Sequence, residues 1–246
     1  MPGAENRTTT GDGAVFVTGA GGSVAPFVGA DFLELGRRVV LFDRPGKEAR
    51  VVARQPRFAA ASENGDLLIR GVDLASEGDV ARTFAAAEER AGYCRALINM
   101  AGGFGMAPAD KASIDDLDAM LDVNLRSAVN ATRAVLPGML KRGAGFVLAI
   151  GAGAALTPSA GKTAYAAAKA AVSAYFGSLA AEVGKRGVSV AVLHPMGTID
   201  TQANRDAMPD ADTATWISLD AMVGAIRYLA TRPARGIVHE LKLSAH

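Results

Sequence analysis

Seven short runs in this chain are apolar on both faces, and segments with a helical period separate them. The runs are Ala14–Thr18, Arg38–Phe42, Leu67–Ile69, Ala96–Ile98, Gly145–Ile150, Val188–Leu193, and Gly236–Val238 with its continuation to Leu243. A strand with one polar face can lie against water, but a strand apolar on both faces must be covered on both. The helical patterns fall at about 23–36, 76–91, 113–141, 161–186 and 218–231. Strand–helix alternation of this kind predicts an α/β fold, a Rossmann-like, doubly wound and mainly parallel seven-stranded sheet with helices on both faces. The third helical pattern opens with Ser113-Ile-Asp-Asp116, a capping-box variant. Acids gather in its first turn, and Lys141 and Arg142 stand at its end, as the helix dipole favours. Neither a repeat nor an internal boundary interrupts the pattern. Residues 13–246 read as a single domain, and residues 1–12 read as a disordered polar tail without a signal peptide's apolar stretch.

Composition narrows the partners. With 26 basic and 25 acidic side chains there is no field to collect nucleic acid or an anionic membrane surface. The longest uncharged run, 143–161, is broken by glycines and a proline, which suits a strand and loop and not a membrane span. Cys94 is the only cysteine, so no intramolecular disulfide forms and a cytoplasmic setting is expected. His194, His239 and His246 have no ligand-spaced partners, so no metal is expected; His194 reads as a packing residue.

Two stretches carry chemistry. The first strand runs into Thr18-Gly-Ala-Gly-Gly-Ser-Val-Ala25 and then a helix. Glycines at such a turn let backbone N–H groups approach a pyrophosphate, which the helix N-terminus attracts. Asp43 closes the second strand, where an acid can bind the ribose 2′-hydroxyl, and Arg44 beside it leaves room for a 2′-phosphate. The second stretch is "GAGAALTPSAGKTAYAAAK", residues 151–169. Tyr165 and Lys169 are one helical turn apart there, and an ammonium near a phenol lowers its pKa. The run Gly151–Ala155 contains no hydroxyl, and Thr157 and Ser159 follow it in the loop.

Together these pieces resemble the short-chain dehydrogenase/reductase family over about residues 13–243. Thr18 and Gly19 match its glycine turn, with Ser23 and Ala25 where the family has two further glycines. The resemblance implies cofactor binding by Gly19, Gly22, Ser23, Val24, Asp43 and Arg44. It implies the same for Asp73 and Leu74 at the adenine, and for Asn99, Ala101 and Gly102 beside the nicotinamide ribose. The segment opened by Pro195, through Ile199 and Thr201, is implied to line the cofactor. Tyr165 matches the proton donor, Lys169 its partner on phenol and ribose, and Asn124 the mid-helix amide of the proton relay. Ala152 stands where the family usually has a serine. "GAGAAL", Ala101-Gly-Gly-Phe104 and the 200–216 segment look like the dihydropteridine reductase branch, which also lacks that serine.

The expectation is an oxidoreductase that uses NAD(H) in preference to NADP(H). Its substrate is expected to be a small conjugated carbonyl or imine, such as a quinonoid dihydropteridine, lying against Ala152 and Phe104. A lid over about 197–218 would bring Met208 and Trp216 to it. A homodimer or homotetramer is implied by the family. The alternatives are a general ketone or 3-oxoacyl reductase, and a non-catalytic NAD-binding sensor.

Overall fold

The structure is a computed structural model and describes residues 13–233 and 235–245; the expected tail over residues 1–12 lies outside the described residues. Seven strands form one parallel sheet: β1 (Ala14–Thr18), β2 (Val39–Asp43), β3 (Leu67–Gly71), β4 (Cys94–Asn99), β5 (Gly145–Ile150), β6 (Val188–Pro195) and β7 (Glu240–Leu243). Their spatial order is β3-β2-β1-β4-β5-β6-β7. The order reverses between β1 and β4, the point at which open sheets of this kind bind ligands.

The helices are α1 (Ala25–Glu34), α2 (Glu48–Val52), α3 (Arg57–Glu63), α4 (Glu77–Ala91), α5 (Ile114–Leu121), α6 (Ser127–Arg142), α7 (Gly153–Leu156), α8 (Thr163–Val183), α9 (Gln202–Ala207) and α10 (Leu219–Thr231). They leave two cores, one on each face of the sheet. One packs Val15, Val17, Leu41, Ile98 and Leu148 against Val28 and Phe32 of α1 and Ile226 of α10. The other packs Phe16, Phe42, Leu97 and Val147 under Phe84 of α4, Val135 of α6 and Phe176 of α8. β1, β2, β4, β5 and β6 are thus buried on both sides, as their sequence requires, whereas the edge strands β3 and β7 are only partly covered.

Three elements depart from the sequence reading. The pattern at 113–141 is not one helix: a π-helical turn, Asp122–Arg126, separates α5 from α6. The run Gly236–Val238 is not strand, because β7 begins only at Glu240 and Ile237 is half exposed. The 197–218 segment is largely folded, with α9, a 3-10 turn at Thr213–Thr215 and a bridge between Ile199 and Ile217. The Ser113 cap is as expected: its hydroxyl accepts from Asp116 N–H, and the Asp116 carboxylate accepts from Ser113 N–H.

The second core centres on three phenylalanines. Phe42 and Phe84 stack with ring centres 4.1 Å apart, and Phe16 meets the edge of Phe84 at 5.7 Å. All three are fully buried. Phe84→Ala is therefore expected to cost about 3–5 kcal/mol, since a ring-sized cavity in a close-packed core relaxes only in part. Urea unfolding checks this as a lower midpoint at unchanged slope.

Candidate active site

At the reversal point the carboxyl ends of β1, β2 and β4 open into a cavity of about 740 Å³. Gly19, Gly22, Asp43, Arg44, Asp73, Leu74, Ala101 and Gly102 all line it, so half of the sequence-predicted cofactor residues meet in one place. Gly19 has φ +73°, and a Cβ there would lie 2.8 Å from the Ala101 backbone. Only glycine meets both demands. Gly22 N–H donates to Gly19 O at 2.9 Å and closes the turn. A Cβ on Gly21 would strike the Asp43 carboxylate, which therefore lies directly over the glycine turn. That carboxylate makes no hydrogen bond or ion pair with another described residue.

A cradle whose first glycine is closed to any Cβ, an available carboxylate above it and a helix starting at Ala25 fits the pyrophosphate and ribose of a dinucleotide. Three cations that the sequence reading did not single out belong to this rim. Lys47 and Arg50 line the cavity beside Arg44, and Arg54 donates through Nη2 to Gly21 O at 2.9 Å and Gly22 O at 3.3 Å. Arg54 supports the turn across 33 positions of sequence, which no local motif reveals. Thr18 was visible as part of the turn, but its function as a tie was not. Its Oγ1 accepts from both Met100 N–H and Ala101 N–H at 3.1 Å.

Several predicted cofactor residues do other things in this structure. Asn99 is buried and donates through Nδ2 to Thr132 Oγ1 of α6 at 3.3 Å, and it does not line the cavity. Val24 caps α1 and Ser23 lies just before it. Pro195 ends β6 opposite Leu243, Ile199 pairs with Ile217, and the Thr201 hydroxyl caps α9 by accepting from Asn204 N–H.

The other half of the site is built on α8. Tyr165 and Lys169 lie on its inner face, with Lys169 almost fully buried. The ammonium donates to Ile150 O at the end of β5, 2.9 Å away, and sits 6.0 Å from the centre of the Tyr165 ring. Burial pulls the Lys169 pKa down to about 8 and raises that of the Tyr165 phenol. The expected lowering of the phenol by its neighbour is thus not seen; burial dominates. Asn124, in the π-helical turn, donates to Gly103 O (3.1 Å) and Met120 O (3.0 Å) and accepts from Gly103 N–H (3.2 Å). A Cβ on Gly102 would lie 2.9 Å from Asn124 Oδ1 and 3.6 Å from Lys169 Nζ. Asn124 and Lys169 thus converge on one glycine at the rim of the dinucleotide cavity.

Phe104 places its ring edge-on to Tyr165, with centres 4.9 Å apart, and is 60% exposed. Ala152 is buried at the end of β5, and no hydroxyl stands in its place. Thr157 and Ser159 are exposed. Met208 is exposed at the end of α9, and Trp216 is half-buried with no ring contact to Phe104 or Tyr165. His194 is buried with its ring against Gly151, in keeping with a packing role. No group of acids, histidines and cysteine among the described residues is arranged for a metal. No helix among them is long and apolar enough to cross a membrane.

Residues 13–212 match the family of short chain dehydrogenases. The chain belongs to that family. It is 33% identical to the NADP-dependent 3-hydroxy acid dehydrogenase YdfG of Escherichia coli over 184 residues, 74% of this chain and 71% of that one. Its fold is similar to serine dehydrogenase from Escherichia coli, with a TM-score of 0.77, 27% identity and 94% and 96% of the two chains covered. It is also similar to a gluconate 5-dehydrogenase from Burkholderia cenocepacia in complex with NADP and tartrate, with a TM-score of 0.84, 25% identity and 97% and 96% covered. This short-chain dehydrogenase is accordingly an oxidoreductase that uses a nicotinamide cofactor.

The buried lysine has a testable signature. Its folded pKa of about 8 lies below the 10.5 of an unperturbed lysine, so between those values the unfolded chain binds more protons. The burial penalty is present in full below about pH 8 and is relieved as pH rises through it. Thermal midpoints of the cofactor-free protein and of Lys169→Met, compared from about pH 7.5 to about pH 10, should show the wild type gaining on the variant. Parallel curves would place the ammonium near its ordinary pKa.

Proposed function

We propose that this oxidoreductase reduces a small conjugated carbonyl or imine with NADH. The observation that carries the reading is Ala152: a buried methyl at the end of β5, beside a tyrosine and a lysine, where a donor hydroxyl is usual in the family. A simple ketone concentrates negative charge on one oxygen during reduction, and the loss of one positioned donor to such an oxygen costs about 3–4 kcal/mol. A quinonoid or otherwise conjugated acceptor spreads that charge over several atoms and needs the donor less. Ala152 also leaves room for a flat ring, which the exposed Phe104 ring next to Tyr165 can support.

Gly19, Asp43 and Gly102 would hold the nicotinamide cofactor, which when bound would supply a hydride to the substrate carbon. The substrate's C=O or C=N π pair moves onto the heteroatom, and the Tyr165 hydroxyl gives that atom its proton. Lys169 holds the phenol and the ribose, and its ammonium stabilises the phenolate left behind. Asn124 continues the proton relay at the Gly102 edge. The folded 197–218 segment acts as the lid, bringing Met208 and Trp216 to the substrate. Turnover separates this reading from a sensor of NAD redox state, which needs no proton donor. Tyr165→Phe is expected to remove most of the turnover while NADH binding survives.

The ribose end favours NADH because the Asp43 carboxylate accepts hydroxyls and repels a phosphate. The relatives described above are NADP-dependent or were solved with NADP. Asp43 is the group that would set this chain apart, and Asp43→Ser would expose a 2′-phosphate to Arg44, Lys47 and Arg50. Wild type is expected to show higher kcat/KM with NADH, and Asp43→Ser a reversed preference. A wild-type preference for NADPH would show that the cations prevail over the carboxylate.

The names of the relatives favour a second reading, a general hydroxy-acid dehydrogenase or ketone reductase. One comparison decides between them: NADH oxidation with quinonoid dihydropteridine against acetoacetyl esters and aliphatic ketones, in wild type and in Ala152→Ser. The conjugated substrate should be faster in wild type, and the serine should improve the ketones selectively. If plain ketones are fastest and Ala152→Ser changes nothing, the conjugated-substrate reading is wrong and Thr157 or Ser159 supplies the hydroxyl.

A further inference from the structure

Lys162 stands at the start of α8, one turn before Tyr165, and the proposed reaction gives it nothing to do. Its Nζ lies over the ring of Phe104, 5.9 Å from the centre, and that ring meets Tyr165 at 4.9 Å. The ammonium and the phenol therefore flank one exposed aromatic face. The surrounding wall is tied down. Ala107 N–H donates to Gly161 O at 2.9 Å, and a Cβ on Gly161, which has φ +75°, would lie 3.3 Å from Met106 Cε. The loop that carries Phe104 is thus pinned to the turn that carries Lys162, and their relation is a property of the fold.

Lys162 makes no ion pair with a described residue. Other cations flanking the site elements are already engaged: Arg126 with Asp122 in the π-helical turn, and Arg205 with Asp200 at the start of the 197–218 segment. Lys169 points inward to the Ile150 carbonyl. Lys162 is therefore a half-buried cation beside the proton donor with its charge unspent.

We infer that Lys162 takes an anionic group of the substrate, a carboxylate carried a few bonds from the reducible carbon, and so sets both specificity and orientation. This rests on the reaction proposed above and names the substrate more closely: a conjugated oxo or imino acid. A carboxylate fits better than a phosphate. A single ammonium is a point charge suited to one monoanion, whereas a phosphate dianion draws on arginine forks or several donors. The Phe104 ring, next to both side chains, supports the flat conjugated part of the molecule. Lys162 touches substrate away from the reacting atoms, so its contribution is to binding and not to the chemical step.

The test compares phenylglyoxylate with its methyl ester, two conjugated carbonyl compounds that differ in one charge, in wild type, Lys162→Met, Lys162→Arg and Lys162→Glu. In the wild type the acid should have the higher kcat/KM. Lys162→Met should lower the acid-to-ester ratio by about tenfold, mainly through KM, as loss of one partly screened charged hydrogen bond would. Lys162→Arg should keep most of the ratio, and Lys162→Glu should invert it. An unchanged ratio in Lys162→Met overturns the inference even while both compounds are reduced, which leaves the reductase reading standing. If neither compound is reduced, the reductase reading loses these substrates. Quenching of bound NADH fluorescence by phenylglyoxylate then decides the inference alone: equal affinity in wild type and Lys162→Met, or none in either, overturns it, and weaker affinity in the variant upholds it.

Discussion

The Thr18 hydroxyl holds the point on which the rest of the site depends. A parallel sheet covered on both faces sends every strand's carboxyl end to one edge, and the reversal between β1 and β4 leaves a crevice there. Without a tie, neighbouring strand ends at such a crevice would splay, because the ladder stops where the turns begin. Thr18 Oγ1 accepts from two successive amides after β4 and carries the pairing one step past the ladder. That contact brings Gly19 against the Ala101 backbone, too close for a Cβ on Gly19. The glycine turn, the carboxylate over it and the Ala101–Gly103 edge all take their places from this junction.

The second half of the site depends on an irregularity. Inserting one residue into the α5–α6 helix as a π-helical turn frees local carbonyls and turns a side chain out of the regular face. Asn124 occupies that turn, and its amide bonds to both the helix and Gly103 satisfy the polarity that the turn would otherwise strand. An aliphatic side chain could not do this. Ser127 makes the matching repair by donating to Val123 O at 2.7 Å. The result links the helix to the strand-end loop at Gly103, next to Gly102, which faces both Asn124 and Lys169. The conformational irregularity therefore lies at the rim of the candidate site, as π-turns often do.

Much of this could be read from the residues. The sheet was legible because strands apolar on both faces admit few arrangements, and Gly19, Asp43, Asp73 and Gly102 were legible because each carries a local signal. The π-helical turn was not. It preserves the helical period on either side, and Asn124 showed only as a poor helix former. Arg54 and Lys47 were also hidden, since their place at the cavity comes from short helices between β2 and β3 with no strong periodicity. β7 was drawn too long because Gly236-Ile-Val238 has strand composition, yet Ile237 has no core to face. The direction of the Asn99 amide, toward Thr132, was hidden for a related reason: a strand-end motif gives a residue's position along the chain but not which face its amide chooses. The pairing of Tyr165 with Lys169 was legible as spacing. Its electrostatics were not, since burial is a property of the assembled fold.

That burial bears on what the active site can do. At the end of β5 two successive positions offer no polar side chain. Gly151 admits none, because any Cβ there would fall on the ring of buried His194, and Ala152 offers only a methyl. Burial holds the His194 pKa below its ordinary value, so the imidazole adds no cation to the site near neutrality. The same apolar setting raises the phenol of Tyr165 and lowers the ammonium of Lys169, pushing both toward their neutral forms. A neutral phenol remains a proton donor over the whole physiological range, and a lysine with a pKa of about 8 is still mostly charged near neutrality, so the pair retains one proton donor and one cation. The shifted proton affinities of Tyr165 and Lys169 have one cause, burial, and the methyl of Ala152 adds no polar group to offset it.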